Sequence, residues 1–409
     1  MPSGGPLRGG SVKAKEWLQG RATQLINDPG AIAWMLLVAF VYGGATFIRS
    51  QATDWGPDHM MILASDMFVG RSDLSSLTTI NDIVTINGRN YQAMSLLPTV
   101  PYLPLVPFQF LWPFSRWIVS AVIGIVAGWL ALPLARRYGP GGSINYWIAA
   151  LGAFGTLLFT LTIEGDFYYL AHLEAVLLTF LALIEWHDRR RPWVLGLLIG
   201  LTALARPTLI LVAVPFGLAL LAESKDRVRV AAAFAIPLLA AVAVTGWWDW
   251  VRFGSPLETG YGIAWLTVGL EQLRYQGLFS TTHVPPNLAL FIGGGYGVRD
   301  SFPWLVPSNE GHSILLTTPA LLIAFGAGIR DRLNQVLWAA VIVVAVPVFM
   351  YYGGGGGGTY GYRYAMDFVP FLVVLAAIAM KDRFGNLERI LIGLSIFFVC
   401  YGYIWQVYK

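Results

Sequence analysis

The sequence predicts an all-α protein that crosses a membrane about eleven times. Its 409 residues are 56% hydrophobic and only 12% charged, whereas about a quarter of the residues in a soluble domain are charged. The mean hydropathy is +0.60, and apolar runs that can cross about 30 Å of hydrocarbon recur from residue 31 almost to the last residue. A soluble globular domain and a disordered chain are excluded. The single cysteine, Cys400, also excludes an intrachain disulfide.

The predicted spans are residues 31–48, 117–135, 145–163, 168–186, 193–205, 208–222, 229–248, 313–329, 335–351, 366–380 and 389–405. Basic residues concentrate in cytoplasmic loops. The basic loops are residues 136–137, 189–191, 225–229, 330–332 and 381–389. With an odd number of spans, all of them lie on the same side of the membrane as the N-terminus. The N-terminus is therefore predicted to be cytoplasmic. Because the formal charge of +4 is dispersed among these loops, nucleic acid is not a predicted partner.

Two domains are predicted. Residues 1–28 form a cytosolic tail, in which residues 12–27 have the pattern of an amphipathic helix at the inner membrane surface. Residues 29–409 form the membrane domain, with two long outer loops at residues 51–116 and 252–312. Loops of this length usually carry function. In the first loop, the proline-punctuated stretch 91–114 is predicted to lie along the membrane surface.

The fifth span is too short for a full crossing and ends at Arg206-Pro207, a pair that breaks helices. A broken or half-length helix is therefore predicted there. Gly353–Gly358 is a run of glycines before the tenth span, which could be a hinge or could let backbone approach a ligand closely. It lacks the lysine and the serine or threonine of a phosphate-binding loop.

Four groups of polar residues fall on the predicted outer side of the membrane. Ionisable residues at membrane depth are costly, so each is a candidate for a site. The groups are Asp58 and His59 after the first span, then Glu164, Asp166, Tyr169, His172 and Glu174 at the turn between spans three and four, then Arg206, and finally residues 360–367, with Tyr362, Arg363, Tyr364 and Asp367, which open span ten. Their convergence predicts a polar cavity near the outer surface.

This cavity suits chemistry on a lipid-linked phosphate. A partly desolvated carboxylate has a raised pKa and accepts a proton from a hydroxyl more readily. An arginine matches the oxygens of a phosphate. We therefore expect a phospholipid-like or polyprenyl phosphate-linked substrate. The five histidines show no pair at ligand spacing, so a zinc site is not predicted, while a divalent cation stays open.

Each candidate also has a structural alternative. Asp58 could cap the helix that begins near residue 59. His172 could be a hydrogen-bond partner between helices. Glu164 and Asp166 could be charges of an outer loop. Arg206 could extend to the membrane surface, and Arg363 could anchor a cluster of aromatic residues.

The order of these features resembles the GT-C superfamily of integral-membrane glycosyltransferases, in the branch of protein O-mannosyltransferases and aminoarabinose transferases. The resemblance spans residues 31–380. It rests first on stretch 58–74, which contains Asp58, and on stretch 90–101, which contains Tyr91. It rests further on the glycine-rich stretch 193–208, which ends in Arg206-Pro207-Thr208, and on stretches 252–261 and 361–364. His59 departs from the pattern, because the family has an acidic doublet around the first-loop aspartate.

The resemblance implies a sugar donor linked to polyprenyl phosphate, an active site on the outer face, and transfer with inversion at the anomeric carbon. Asp58 would be the general base, and an arginine would stabilise the departing lipid phosphate. Arg206, Arg363, Tyr362 and Tyr91 are the expected donor-binding residues. The acceptor would be a hydroxyl of a glycan, lipid or protein.

Two alternatives use the same cavity. A transporter or flippase of lipid-linked sugars needs the arginines but no base. A ligase would instead move a whole glycan from a polyprenyl diphosphate. The short loops favour a bacterial or archaeal inner membrane, where membrane lipids surround the chain.

Overall fold

The computed structural model describes residues 28–52, 58–74, 83–261, 276–302, 304–308, 311–356 and 360–408. Helices make up most of this part of the chain, and the strands within it form two small hairpins. Seven helices of the described residues are long and apolar enough to cross a membrane, and three shorter apolar helices accompany them. The chain is therefore an integral membrane protein, and the predicted all-α polytopic fold is confirmed. The predicted tail helix, at residues 12–27, lies outside the described residues.

Helices form along the apolar runs because a chain in hydrocarbon must satisfy its backbone polar groups internally. In chain order the α-helices are α1 Pro29–Ala52, α2 His59–Phe68, α3 Ser115–Tyr138, α4 Ile144–Phe154, α5 Leu158–Glu164, α6 Phe167–Asp188, α7 Pro192–Ala205, α8 Ala213–Glu223, α9 Arg227–Phe253, α10 Val284–Gly293, α11 Ile314–Thr317, α12 Arg332–Met350, α13 Val369–Ala379 and α14 Asn386–Tyr408. The 3-10 helices are Leu97–Leu105, Gln109–Phe114, Pro207–Val212, Thr281–His283, Pro319–Ala327 and Arg363–Asp367.

All eleven predicted spans coincide with helical residues. The third span is divided between α4 and α5, and the eighth combines α11 with a 3-10 helix. The break predicted after the fifth span is present, since α7 ends at Ala205 and Arg206 has an extended backbone. The chain then reverses, because Glu223 at the end of α8 pairs at 2.9 Å with Arg190, which precedes α7. Arg206 therefore lies at the tip of a helical hairpin.

Ion pairs gather the basic loops at one end of the bundle. They join Arg136 to Asp28 and Arg137 to Asp188, each at 2.6 Å, and Arg332 to Glu223 at 3.7 Å. The opposite end is termed the site end, because the candidate residues Asp58, Asp166, Arg206 and Arg363 all lie there. The side of the membrane on which each end lies stays a prediction.

Glycines allow α7 and α9 to touch. A Cβ at Gly196 would lie 2.0 Å from the carbonyl oxygen of Phe234, and a Cβ at Gly200 would lie 2.9 Å from the Cβ of Ala241. Small residues let membrane helices approach closely and gain dispersion energy. These two helices therefore form one continuous wall beside Arg206.

Two antiparallel hairpins lie at the site end. Strands β1 Ile83–Ile86 and β2 Arg89–Gln92 are joined by Asn87-Gly88, both with positive φ, which suits a two-residue turn. Arg252 at the end of α9 joins this hairpin to the helix, because its Nη1 donates to the carbonyl oxygens of Gln92 at 2.6 Å and Met94 at 2.9 Å. The second hairpin pairs β3 Tyr296–Val298 with β4 Leu305–Pro307.

Candidate active site

Arg206 is held by a buried carboxylate. Its Nε donates to both oxygens of Asp367 at 3.2 Å, and its Nη2 donates to Oδ2 at 2.9 Å. The Nδ1 of His172 on α6 lies 3.1 Å from Oδ1, and the hydroxyl of Thr208 donates to Oδ2 at 3.4 Å. The Asp367 side chain is 0% exposed, whereas that of Arg206 is 21% exposed. This charge-assisted contact fixes one edge of the guanidinium group.

The ring of Tyr364 is shared by two guanidinium groups. Arg206 lies 5.3 Å and Arg363 lies 5.1 Å from the ring centroid. Arg363 also lies 5.6 Å from the ring of Tyr168 and 5.3 Å from that of Tyr169. Aromatic rings attract a cation without neutralising its charge. The site end therefore concentrates positive charge among tyrosines.

The glycine run packs against Arg363. Gly356 has a φ of +90°, and a Cβ at this residue would lie 2.3 Å from Nε of Arg363. The backbone N–H of Arg363 donates to the carbonyl oxygen of Gly355 at 3.0 Å. A side chain at residue 356 would displace the guanidinium group, so this part of the run needs glycine.

Arg206 and Tyr364 line an open cavity at the site end. A concave site with a few convergent polar groups is a candidate for ligand binding. A second arginine, Arg252, also lines it, but its Nη2 donates to Asp249 at 2.6 Å. Most of the remaining wall is apolar or aromatic and includes Met94, Leu204, Trp248, Tyr261, Phe279, Val348 and Tyr351.

An apolar groove adjoins this cavity, and both are lined by Pro207 and Thr245. The groove runs along α9. Trp247 and Trp250 in its wall are 54% and 57% exposed. A groove of this kind that leads to an arginine has the shape expected for a lipid with an anionic head group.

Asp58 caps the N-terminus of α2. Its Oδ1 accepts hydrogen bonds from the backbone N–H groups of Met60 at 3.1 Å and Met61 at 3.4 Å. Its Oδ2 accepts from the hydroxyl of Ser115 at 2.6 Å. The helix cap considered as a structural alternative is therefore present. It leaves room for a chemical role, because the two oxygens of a carboxylate offer about four acceptor positions.

Asp166 caps α6 and lies near Asp58. His59 and Phe167, each directly after a capping aspartate, stack with ring centroids 4.6 Å apart and planes at 28°. Oδ1 of Asp166 accepts from the backbone N–H of Phe167 at 2.6 Å. The buried Arg116 acts electrostatically on both carboxylates. The stack therefore gathers two carboxylates and one arginine into a cluster.

Burial shifts the protonation of this cluster. It raises the pKa of Asp58, while the hydrogen bond from Ser115 and the charge of Arg116 oppose the rise. It also raises the pKa of Asp166, again against the effect of Arg116. Burial lowers the pKa of His59 to about 4, so this ring is neutral at pH 7. Each carboxylate is thereby a better proton acceptor than an exposed aspartate.

Glu164 and Glu174 are both buried, in different surroundings. Oε2 of Glu164 lies 3.4 Å from Nη2 of Arg49 on α1. Oε2 of Glu174 makes no hydrogen bond with any described residue. Glu174 lies near Tyr102, which is also within electrostatic range of Asp58.

The two candidate tyrosines, Tyr91 and Tyr362, pack into aromatic clusters. Tyr91 on β2 contacts Phe253, with ring centroids 5.9 Å apart. Tyr362 is buried against Phe291 at 5.3 Å, and its hydroxyl makes no hydrogen bond with the described residues. Neither of these two tyrosines is among the residues that line the cavity.

The structure thus forms two neighbouring groups from the predicted residues. Arg206, Arg363, Tyr169 and His172 lie around Tyr364 and Asp367, while Asp58, His59 and Asp166 lie around Arg116. Arg363 acts electrostatically on Asp166 and so connects the groups. Within the described residues, no three His, Cys, Asp or Glu side chains form a metal-ligand cluster.

Sequence reasoning missed two residues of this arrangement, which are Ser115 and Arg116. A signal existed for Arg116, because it is a charge at the edge of a predicted span, a position that is costly without a partner. No local signal identified Ser115. Tyr364 and Asp367 belong to the fourth predicted group, residues 360–367, but neither was assigned a role.

No protein-family model matches the sequence, and no curated protein matches it. Among solved structures, the chain is similar to the crystal structure of ArnT from Cupriavidus metallidurans bound to undecaprenyl phosphate, with a TM-score of 0.48 and 13% sequence identity. The likeness covers 88% of this chain and 61% of that chain, so this protein spans about three fifths of the length of that structure. A likeness this distant assigns no activity to this protein.

Proposed function

We propose that this protein is a membrane glycosyltransferase that moves a sugar from a polyprenyl phosphate-linked donor to an acceptor hydroxyl. One observation carries the proposal: a cavity lined by Arg206 and Tyr364 adjoins an apolar groove, and Arg363, which packs on Tyr364, acts electrostatically on Asp166 of the carboxylate cluster. An arginine suits a phosphate, and a desolvated carboxylate suits the removal of a proton from a hydroxyl. The sequence resemblance to GT-C glycosyltransferases agrees with this assignment.

In the proposed reaction, the acceptor oxygen forms a bond to the anomeric carbon while the bond from that carbon to the phosphate oxygen breaks. Attack from the opposite face inverts the anomeric carbon. The hydroxyl proton passes to Asp58. The electron pair of the broken bond stays with the lipid phosphate, whose added negative charge is stabilised by Arg206, with Arg363 contributing positive potential nearby.

The donor lipid is proposed to enter from the membrane. Its isoprenoid tail would occupy the groove beside Trp247 and Trp250, and its phosphate would reach Arg206 past Pro207 and Thr245. The acceptor is the hydroxyl of a glycan, lipid or protein. We place the reaction at the outer face of a bacterial or archaeal plasma membrane, with the N-terminus in the cytoplasm.

The test is release of free polyprenyl phosphate from a panel of polyprenyl phosphate-linked monosaccharides by purified protein. Asp58→Asn keeps a capping side chain but removes the base, so we expect a loss of about 10²–10⁴-fold in kcat. The matched control is Asp226→Asn, since Asp226 caps α9 at the opposite end and accepts from the Arg229 N–H at 3.1 Å. Release by neither wild type nor control from any donor would contradict the proposal.

One observation favours the transporter alternative, which needs no base. Asp58 already accepts three hydrogen bonds within the protein. In that case, labelled lipid would exchange across proteoliposome membranes without bond cleavage, at equal rates for wild type and Asp58→Asn. Asp166→Asn distinguishes a third outcome, in which Asp166 is the base, because only one of its oxygens accepts a hydrogen bond from a described residue.

A further inference from the structure

Asp367 takes no part in the reaction proposed above, yet its carboxylate is fully buried at the site end. An ionised group removed from water is unfavourable unless close opposite charge and hydrogen bonds compensate it. Asp367 has both, because Arg206, His172 and Thr208 all direct polar atoms at its two oxygens. Such a fully satisfied buried carboxylate indicates a fixed geometry.

The contact uses only part of Arg206. Nε and Nη2 bind Asp367, whereas Nη1 makes no hydrogen bond with the described residues and the side chain is 21% exposed. Arg206 also lines the cavity. The edge of the guanidinium group that Asp367 leaves unused is therefore available to a phosphate in the cavity.

The backbone alone does not fix this orientation. Arg206 lies at a helix break in extended conformation, with φ −136° and ψ 98°, and an arginine side chain has many rotamers. Asp367 comes from the 3-10 helix before α13, and His172 comes from α6. The carboxylate thus ties the tip of the α7–α8 hairpin to two other elements.

His172 binds the carboxylate of Asp367 and has no proposed contact with the substrate. An ionised carboxylate only accepts hydrogen bonds, so Nδ1 of His172 carries the proton that points to Asp367. The ring is 1% exposed, and its Nε2 makes no hydrogen bond with any described residue. Within the described part of the chain, Asp367 is therefore the hydrogen-bond partner of the His172 ring.

We propose that Asp367, supported by His172, is a positioning residue that orients Arg206 so that Nη1 faces the phosphate of the donor. The nature of that anion rests on the proposed function. Asp367 itself does not touch the substrate, and its effect passes through Arg206.

The test is a double-mutant cycle with Asp367→Asn, Arg206→Ala and both together. Two quantities are measured for each variant: kcat/KM for the lipid-linked donor, and the dissociation constant of polyprenyl phosphate, which requires no turnover. We expect Asp367→Asn to lower kcat/KM at least tenfold and Arg206→Ala to lower it further, with the double variant no worse than Arg206→Ala alone. A merely structural role of Asp367 would instead give losses that multiply.

Multiplying losses, or an Asp367→Asn protein with the kcat/KM and affinity of wild type, would overturn the proposal. If Asp367→Asn does not fold, the same cycle is run with His172→Phe, which removes the supporting N–H but leaves the carboxylate. If wild type binds polyprenyl phosphate but transfers no sugar, the binding cycle still decides the positioning role while the proposed function fails. If wild type neither binds nor transfers, both fail.

Discussion

Replacing Ser115 by alanine should move the pH dependence of transfer toward higher pH. The hydroxyl of Ser115 donates to Oδ2 of Asp58 at 2.6 Å, and this hydrogen bond lowers the pKa of that carboxyl. A donor to the charged form favours ionisation, so removing it raises the pKa. The base acts only when it is ionised. As the pH is lowered, Ser115→Ala should therefore lose transfer activity at a higher pH than wild type does.

The size of the shift follows from the strength of the hydrogen bond. A hydrogen bond to a charged group contributes about 1.5–3 kcal/mol, and about 1.4 kcal/mol corresponds to one pKa unit. We therefore expect the acid limb to move up by about one to two pH units. The Ser115 hydroxyl also lies 2.8 Å from the carbonyl oxygen of Trp112. The carboxylate is the closer and stronger acceptor for its single proton.

The assay is kcat/KM for the donor as a function of pH, followed far enough toward acid for transfer to be lost in wild type. Ser120→Ala is the matched control, since Ser120 lies on the same helix and its buried hydroxyl donates to the carbonyl oxygen of Thr162 at 2.6 Å. The control should keep the wild-type acid limb. An unshifted limb in an active Ser115→Ala protein would show that Asp58 is not the titrating base.

Two further predictions concern stability and lipid entry. Glu164→Gln removes the carboxylate that lies 3.4 Å from the buried Arg49, so it should lower the free energy of unfolding by about 1.5–3 kcal/mol, measured as a lower melting temperature in detergent. Unchanged melting would contradict a structural ion pair. Thr245→Trp fills the junction of cavity and groove and should raise KM at least tenfold for long-chain donors and much less for short-chain ones. Ile236→Trp, on the exposed face of the same helix, is its control, and equal KM changes for both chain lengths would refute the groove assignment.

The helices and the break at Arg206 could be predicted because hydropathy and proline act locally along the chain. The first hairpin was not predicted, although Asn87-Gly88 between apolar residues is a recognised turn signal. Short strands of this kind are easily passed over when membrane helices dominate the pattern.

The candidate site shows a different limit. Arg206 and Asp58 could be identified as costly charges near the membrane, but their partners could not. Asp367 is 161 residues from Arg206 in the sequence, and nothing local links the two. Glu164 likewise pairs with Arg49 on a distant helix. Periodicity indicates which residues are buried, whereas the pairing of buried charges follows from helix packing.

The backbone contact between α7 and α9 has a consequence for substrate access. Because Gly196 already brings α7 against the carbonyl oxygen of Phe234, these two helices can neither close further nor slide without collision. Widening of the cavity is then expected at the wall formed by α12, where Val348 follows Pro347. A proline within a helix removes one backbone hydrogen bond and favours bending. The molecule therefore combines one rigid side with one side that can bend when a ligand enters the cavity.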